Sequence, residues 1–289
     1  MIAPPAESAG LVNTFYIIET EGGRIEESIP AYSAQLILMV RGTVHFTFAD
    51  GPTVQSSTVT INGPQMRSAA CVLEGPVLQV GASLTHMSWQ ALANLPADLV
   101  HDQLIPAETV LTAEQIASLE AAVAACRDGQ IAPEDLCAHL TAVIAAGPFT
   151  PRPDHAAVVD AILRWLGSGF DPAISDLYAS VSVSPRQLQR ICRRFFGVAP
   201  AQVLKRFRAL RAAMLLAQPG LSQELRAQVM ATYFDQAHLI RDIRRYTGRT
   251  PTQFRTDSLV NEILDPAAHG DAGALLNKPG QQTQPLSRL

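Results

Sequence analysis

One stretch of this chain occurs twice. Residues 184–202, SPRQLQRICRRFFGVAPAQ, return in kind at residues 235–253, DQAHLIRDIRRYTGRTPTQ, at a constant offset of 51, with 7 of 19 positions identical. The identities are Leu188/Leu239, Arg190/Arg241, Arg193/Arg244, Arg194/Arg245, Gly197/Gly248, Pro200/Pro251 and Gln202/Gln253. Each copy opens on a residue able to cap a helix, runs through an Arg-rich amphipathic segment, stops at Gly and restarts at Pro. Such a repeat demands one small helical unit used twice.

The charge distribution isolates the segment that holds both copies. Residues 1–151 carry 4 basic and 15 acidic side chains, net −11, whereas residues 152–256 carry 16 and 7, net +9. Residues 257–289 are net −2, so the overall −4 hides a basic block beside an acidic one. A polyanion-binding module joined to a module of another kind explains that contrast. No apolar run approaches the roughly 18 residues that span a bilayer, and MIAPPAESAG lacks the pattern of a secretory leader, which points to a cytoplasmic protein without membrane contact. Cys71, Cys126, Cys137 and Cys192 have no CxxC spacing, which argues against a zinc site or a disulfide framework.

The front part reads as short strands separated by turn residues: 13–20 ending at Gly22-Gly23, 35–40 ending at Gly42, 43–48 ending at Asp50-Gly51-Pro52, 58–61 and 77–84. That spacing predicts an antiparallel sandwich or small barrel. Helical periodicity follows at 89–95, at 112–127 behind a Thr112/Gln115 capping box, and at 133–145. Gly147-Pro148-Phe149-Thr150-Pro151-Arg152-Pro153 reads as a linker, and the charge changes sign there. Helices are expected at 154–166 capped by Asp154, at 172–180 capped by Asp171, and then at 184–196, 200–217, 222–231 and 235–246, with a last turn at 251–255. The expected organisation is an α+β multidomain chain. Residues 1–146 form a mainly antiparallel β domain with trailing helices, 147–153 a linker, 154–256 an all-α domain of two helical units joined by a long helix, and 257–289 a mostly disordered tail.

In the first copy Ser184, Pro185 and Gln187 occupy N-cap, N1 and N3. Burial of Leu188, Ile191 and Phe195 leaves Arg186, Gln187, Gln189, Arg190, Arg193 and Arg194 on the remaining face. A short helix precedes it, so the layout is helix-turn-helix with 184–196 as the recognition helix. The residue types suit base reading: Arg bridges guanine O6 and N7, Gln pairs with adenine N6 and N7, and each such contact discriminates by ~1–3 kcal/mol. In the second copy Asp235 caps, Leu239 and Ile243 turn inward, and Gln236, His238, Arg241, Arg244 and Arg245 face out.

These features, together with YFDQAHLIRDIRRYTGRTP at 233–251 and Arg208, Ala212, Leu215 and Leu216 on the long helix, resemble the DNA-binding domain of the AraC/XylS family of bacterial transcriptional regulators. The resemblance covers about 85 residues, 171–255. It implies two helix-turn-helix units in adjacent major-groove segments of promoter or operator DNA, about one turn (~34 Å) apart. It assigns base contacts to Arg186, Gln189 and Arg190, with Gln187 beside them, and to Gln236, Ala237, His238, Ile240 and Arg241. Ala237 and Ile240 have only apolar contact to offer, so the first unit is expected to carry most of the base specificity. Ser184, Arg193, Arg194, Arg244, Arg245 and Thr250 are the candidate phosphate contacts. RNA polymerase is a further candidate partner. Tyr178 and Ser182, and Gln228 and Thr232 in the second unit, replace the family's usual small residues. Because Thr tolerates positive φ poorly, the turns should be rebuilt locally or the affinity should be modest.

The strand-rich front resembles the cupin-like sensor domains that precede such DNA-binding domains. Tyr16, Leu36, Leu38, Phe46, Phe48 and Trp89 are candidates to line a pocket for a small-molecule effector, or else simply to fill the core. Ile116, Leu119, Val123 and Cys126 form a stripe suited to a homodimer seam or to packing on the chain's own sheet. Metal-dependent cupins need a His-x-His pair, and here His45 stands alone, with His86 and His101 outside ligand spacing. No metal, cofactor or catalytic group is expected, so the chain reads as a regulator and not an enzyme. The alternatives are a cupin-type enzyme tethered to DNA and a weakly specific architectural DNA-binding protein.

Overall fold

The computed structural model describes residues 1–49, 51–217 and 220–255. The expected disordered tail lies outside the described residues, as does Asp50. The front part is one antiparallel sheet: β1 (Val12–Glu19), β2 (Arg24–Ile29), β3 (Gln35–Phe48), β4 (Thr53–Gln55), β5 (Val59–Asn62), β6 (Ala69–Leu84) and β7 (Leu104–Ile105). The main path runs β1-β6-β3-β5-β7, with β2 added to β6 and β4 to β3.

Two long strands carry the sheet. Gln35–Met39 pairs with Gln79–Ser83, and Thr43–Phe48 pairs with Ala69–Glu74, with register shifts between Met39 and Thr43. Gly42, at φ +73°, lies in that irregularity and not at a strand end. The two strands expected at 35–40 and 43–48 are therefore one strand with a bulge, which bends the sheet over itself. The bend creates two cores. Tyr16, Ile37, Val44, Phe46, Phe48 and Leu73 pack inside the fold of the sheet. Leu36, Leu38, Val80 and Trp89 pack on its other face, against helices.

Those helices are α1 (His86–Ala93), α2 (Ala97–Val100), α3 (Ala113–Arg127) and α4 (Leu136–Ala145). The Thr112/Gln115 capping box forms. The stripe on α3 is consumed within the chain. Leu119, Val123 and Cys126 are buried in the helix-side core, Ile116 packs against it, and Arg127 Nε donates to the Val40 carbonyl at 2.9 Å. The stripe thus supplies no dimer seam. The six candidate effector-lining residues also divide. Leu36, Leu38 and Trp89 lie on one face of the sheet, and Tyr16, Phe46 and Phe48 on the other. A cavity of about 30 Å³ remains beside Tyr16 and Phe46, room for little more than one water. These residues fill two cores, and only Tyr16 and Phe46 of the six line that cavity.

The back part is helical: α5 (Pro153–Gly167), α6 (Ile174–Ser180), α7 (Pro185–Phe196), α8 (Pro200–Ala217), α9 (Gln223–Ala231) and α10 (Gln236–Thr247), closed by a 3-10 turn at Pro251–Arg255. Two expected caps differ. Pro153 takes N1 of α5, so Arg152 is the N-cap and Asp154 lies inside the first turn. The helix after Asp171 starts only at Ile174, and Asp171 instead pairs with Arg208 at 3.1 Å. No described helix is long and apolar enough to cross a membrane.

Candidate nucleic-acid interface

The two units are built alike. In the first, Leu188, Ile191, Phe195 and Phe196 of α7 are buried with Val158, Ile162, Trp165 and Leu177. In the second, Leu239, Ile243 and Tyr246 of α10 are buried with Leu210, Met214, Val229 and Phe254. Ser184 caps α7 by accepting the Gln187 N–H at 3.2 Å, and Asp235 caps α10 by accepting the His238 N–H at 2.6 Å. Both helices end on a left-handed glycine, Gly197 at φ +81° and Gly248 at φ +76°.

α8 holds the units together with arginines. Arg208 reaches Asp171 ahead of α6, and its guanidinium lies 4.7 Å from the ring centroid of Tyr233, ahead of α10. Arg211 is buried and donates to the carbonyls of Leu166 and, at 2.7 Å, Gly169. Burial lowers its pKa to about 10, so it stays charged at neutral pH.

Most candidate base readers are presented to solvent. Arg186, Gln189, Arg190, Gln236, Ala237 and Arg241 are exposed; Gln187, His238 and Ile240 are half-buried. Gln189 Nε2 donates to the Tyr178 hydroxyl at 3.2 Å, so the larger residue at 178 positions a candidate reader. His238 is tied back into its own unit: Nε2 lies 3.2 Å from buried Asp242, and its ring meets Tyr233 edge-on with centroids 5.4 Å apart. Lys205 of α8 pairs with the same carboxylate at 3.0 Å. The i,i+4 spacing of His238 and Asp242 is the sequence signal for that anchor, and the reading of outward faces missed it. It also missed Phe234, 94% exposed in the turn before α10, where an apolar ring stands next to the candidate base readers.

The turns are not strained. Thr232 lies at φ −86°, ψ −2°, and Ser182 is absent from the positive-φ residues, so neither turn needs the conformation for which Gly would be required. The candidate phosphate contacts Ser184, Arg193 and Arg244 are exposed, and Thr250 is half-buried.

Two others face the β domain. Arg194 donates to the Asn94 carbonyl at 3.3 Å and to its side-chain oxygen, while Gln90 Nε2 donates to the Arg194 carbonyl at 3.3 Å. Arg245 lines a cavity between the domains. The last carbonyls of α10 are taken by the β domain: Ser68 N–H donates to Arg245 at 3.0 Å, Ala31 N–H to Tyr246 at 2.7 Å and Ser28 Oγ to Thr247 at 2.9 Å. Arg249 forms an ion pair with Glu27, and both side chains are largely buried. His86 packs on Phe196 with ring centroids 4.1 Å apart. Desolvation, helped by the charge of Arg206, holds its pKa down at about 3.

The histidines considered as metal ligands are dispersed. His45 pairs with Glu74 at 3.3 Å, His101 with Asp102 at 3.0 Å, and His86 lies in the domain junction. Among the described residues no three His, Cys, Asp or Glu side chains come together as a metal site.

A family model described as a helix-turn-helix domain matches residues 177–257. No curated protein matches the chain at a significant level. Among solved structures, apo ToxT K231A from Vibrio cholerae strain SCE256 is similar at 9% identity, over 83% of this chain and 95% of that one, with a TM-score of 0.47. A 1.65 Å structure of Vibrio cholerae ToxT gives 9% identity, 83% and 97% coverage and a TM-score of 0.47. Unsaturated-fatty-acid-bound ToxT from strain SCE256 gives 10%, 85% and 95%, with a TM-score of 0.44.

Proposed function

We propose that this chain, which carries an AraC-type helix-turn-helix domain over residues 177–257, is a bacterial, sequence-specific DNA-binding transcriptional regulator that acts without catalysing a reaction. α7 and α10 enter adjacent major-groove segments of promoter or operator DNA. The observation that carries this reading is Arg190 and Arg241. They stand at the same register of two capped helices whose apolar faces are buried, and both are exposed. Arg186, Gln189 and Arg190 read bases for the first unit. Arg241 is the main reader of the second, with Ala237, Ile240 and the adjacent Phe234 offering apolar contact to thymine methyls. Arg193 and Arg244 set the register on the phosphates. The β domain, docked on the C-terminal ends of both recognition helices, supplies the control.

Selection of bound duplexes from a random library, followed by binding of the selected site, tests this. Arg190→Ala and Arg241→Ala should each weaken the specific complex by ~1–3 kcal/mol, the first more than the second, and relax preference at different base positions. Undiminished specific binding by the double variant would exclude the mechanism. Equal weakening on every sequence would make both residues phosphate contacts.

A further inference from the structure

A cavity of about 130 Å³ lies in the domain junction, closed on one side by Met66 of the β domain and on the other by α8, α10 and Val198. Its polar lining is cationic: Lys205, Arg206 and Arg245, with Gln202 beside them. Arg206 is only 4% exposed, yet no carboxylate among the described residues pairs with it. Its guanidinium donates through Nη1 to the Gln65 carbonyl at 3.1 Å and approaches Met66 Sδ at 3.2 Å. A buried cation without a counter-ion is costly, and a guanidinium has further donors arranged to receive an oxyanion. Burial depresses the pKa of Arg206, and Tyr246, Cys192 and Asp102 only partly oppose that shift.

The charges define the missing partner. Three cations face the cavity; Asp242 is held by Lys205 at 3.0 Å, and Asp102, which accepts the Met66 N–H at 2.7 Å, acts on Arg206 without forming an ion pair with it. Arg206 and Arg245 are in no ion pair among the described residues, and a dianion would give each a partner. The volume suits a compact molecule, since a cavity of ~150 Å³ accepts a benzene ring. DNA is the poorer occupant. Val198 follows the C-terminus of α7, and Arg245 and Tyr246 lie in the last turn of α10. The base-reading turns are at the opposite ends of these helices, each about 18 Å long.

We infer that the junction cavity is a binding site for a small dianionic molecule, a phosphate monoester or a dicarboxylate, whose occupancy fixes the two recognition helices relative to each other. One bound ligand touches the end of α7, the middle of α8 and the end of α10 at once. The binding half stands on the cavity alone; the regulatory half rests on the DNA-binding reading above.

The test uses the full chain without DNA, with inorganic phosphate, glycerol phosphate, succinate or chloride at matched ionic strength. Phosphate compounds or succinate, but not chloride, should raise Tm and give a binding isotherm by calorimetry, and whichever of the two classes binds more tightly identifies the source chemistry. Lys205→Met and Arg245→Met should each weaken binding about tenfold or more, the loss of one charge-assisted contact. Arg206→Met should abolish binding while raising the anion-free Tm, because an apolar chain replaces an uncompensated cation. A purely structural Arg206 would instead lower it. No Tm rise over chloride, or unchanged binding in Lys205→Met and Arg245→Met, overturns the site. With the selected duplex, saturating ligand should change DNA affinity several-fold in the wild type and not in Lys205→Met. Ligand binding with unchanged DNA affinity overturns the regulatory half. Failure to select any duplex refutes the DNA reading and leaves the anion measurement standing.

Discussion

The two helix-turn-helix units share a plan and differ in what completes them. α7 buries five residues, Leu188, Ile191, Cys192, Phe195 and Phe196, none of them charged. α10 buries Leu239, Ile243 and Tyr246 but also Asp242 and Thr247. The last carbonyls of a helix have no partner within it. In α7 the front domain reaches two of them, Arg194 through Gln90 and Phe195 through His86. In α10 it reaches three in succession, at Arg245, Tyr246 and Thr247, and adds the Glu27–Arg249 pair just beyond. The front domain thus meets the ends of both units, with fewer backbone acceptors engaged in the first. The second has three backbone acceptors and a buried ion pair satisfied across the junction, so its order depends more on the docking.

The largest expected effect comes from breaking that dependence. Arg249 and Glu27 retain only 17% and 10% of their side-chain exposure. Arg249→Ala should cost ~3 kcal/mol, because it leaves Glu27 charged and buried. Hydrogen exchange should speed up in the last turn of α10 and across β2 while α7 stays protected. The double variant Glu27→Leu with Arg249→Met should restore most of the protection. Equal loss of protection in α7 and α10 would remove the distinction between the units.

Acid should act on the other side of the junction, where α7 meets α1. His86 is held near 3 by desolvation, below the usual value of 6.5. Between those values the unfolded chain takes up a proton that the folded chain refuses. The contribution of His86 is therefore fully present above 6.5 and is lost progressively as pH falls toward 3. Tm should fall on going from about pH 7 to about pH 5, and His86→Phe, which keeps the stacking on Phe196, should make that fall shallower. An unchanged slope would show that other groups govern the acid response.

How far these features were legible follows from their range. The capped helices, their glycine stops and the arginine faces are local, and the repeat declares them twice. The front domain was legible as antiparallel strands, but not as one bent sheet. A Gly just beyond five apolar residues reads as a turn, and only pairing with residues some 35 positions away makes Gly42 a bulge. β2, RIEESI, was missed because four of its six side chains are polar, which breaks any apolar alternation. The spacing of Ile116, Leu119, Val123 and Cys126 announces an apolar stripe without saying what covers it. The junction was invisible for a stricter reason. Its acceptors are largely backbone carbonyls, which every residue carries, and its partners lie far apart, as Ser28 does from Thr247.

The smallest expected effect tests the turn of the second unit, where resemblance and geometry disagree in sign. The family's usual small residue at position 232 suggests that Gly there would relieve strain. The structure places Thr232 in the right-handed region, with its hydroxyl donating to the Val229 carbonyl at 2.8 Å. Gly at a helical φ brings only the entropy of a freer unfolded chain, and the hydroxyl contact goes with it. Thr232→Gly should therefore destabilise by ~0.5–1 kcal/mol in a denaturation experiment. Ser182→Gly at the equivalent turn of the first unit should also destabilise, since Ser182 is not at positive φ either. A stabilising Thr232→Gly paired with a destabilising Ser182→Gly would mean that only the second turn is held under strain. The dependence of α10 on the β domain would then arise from its own turn as well as from its far end.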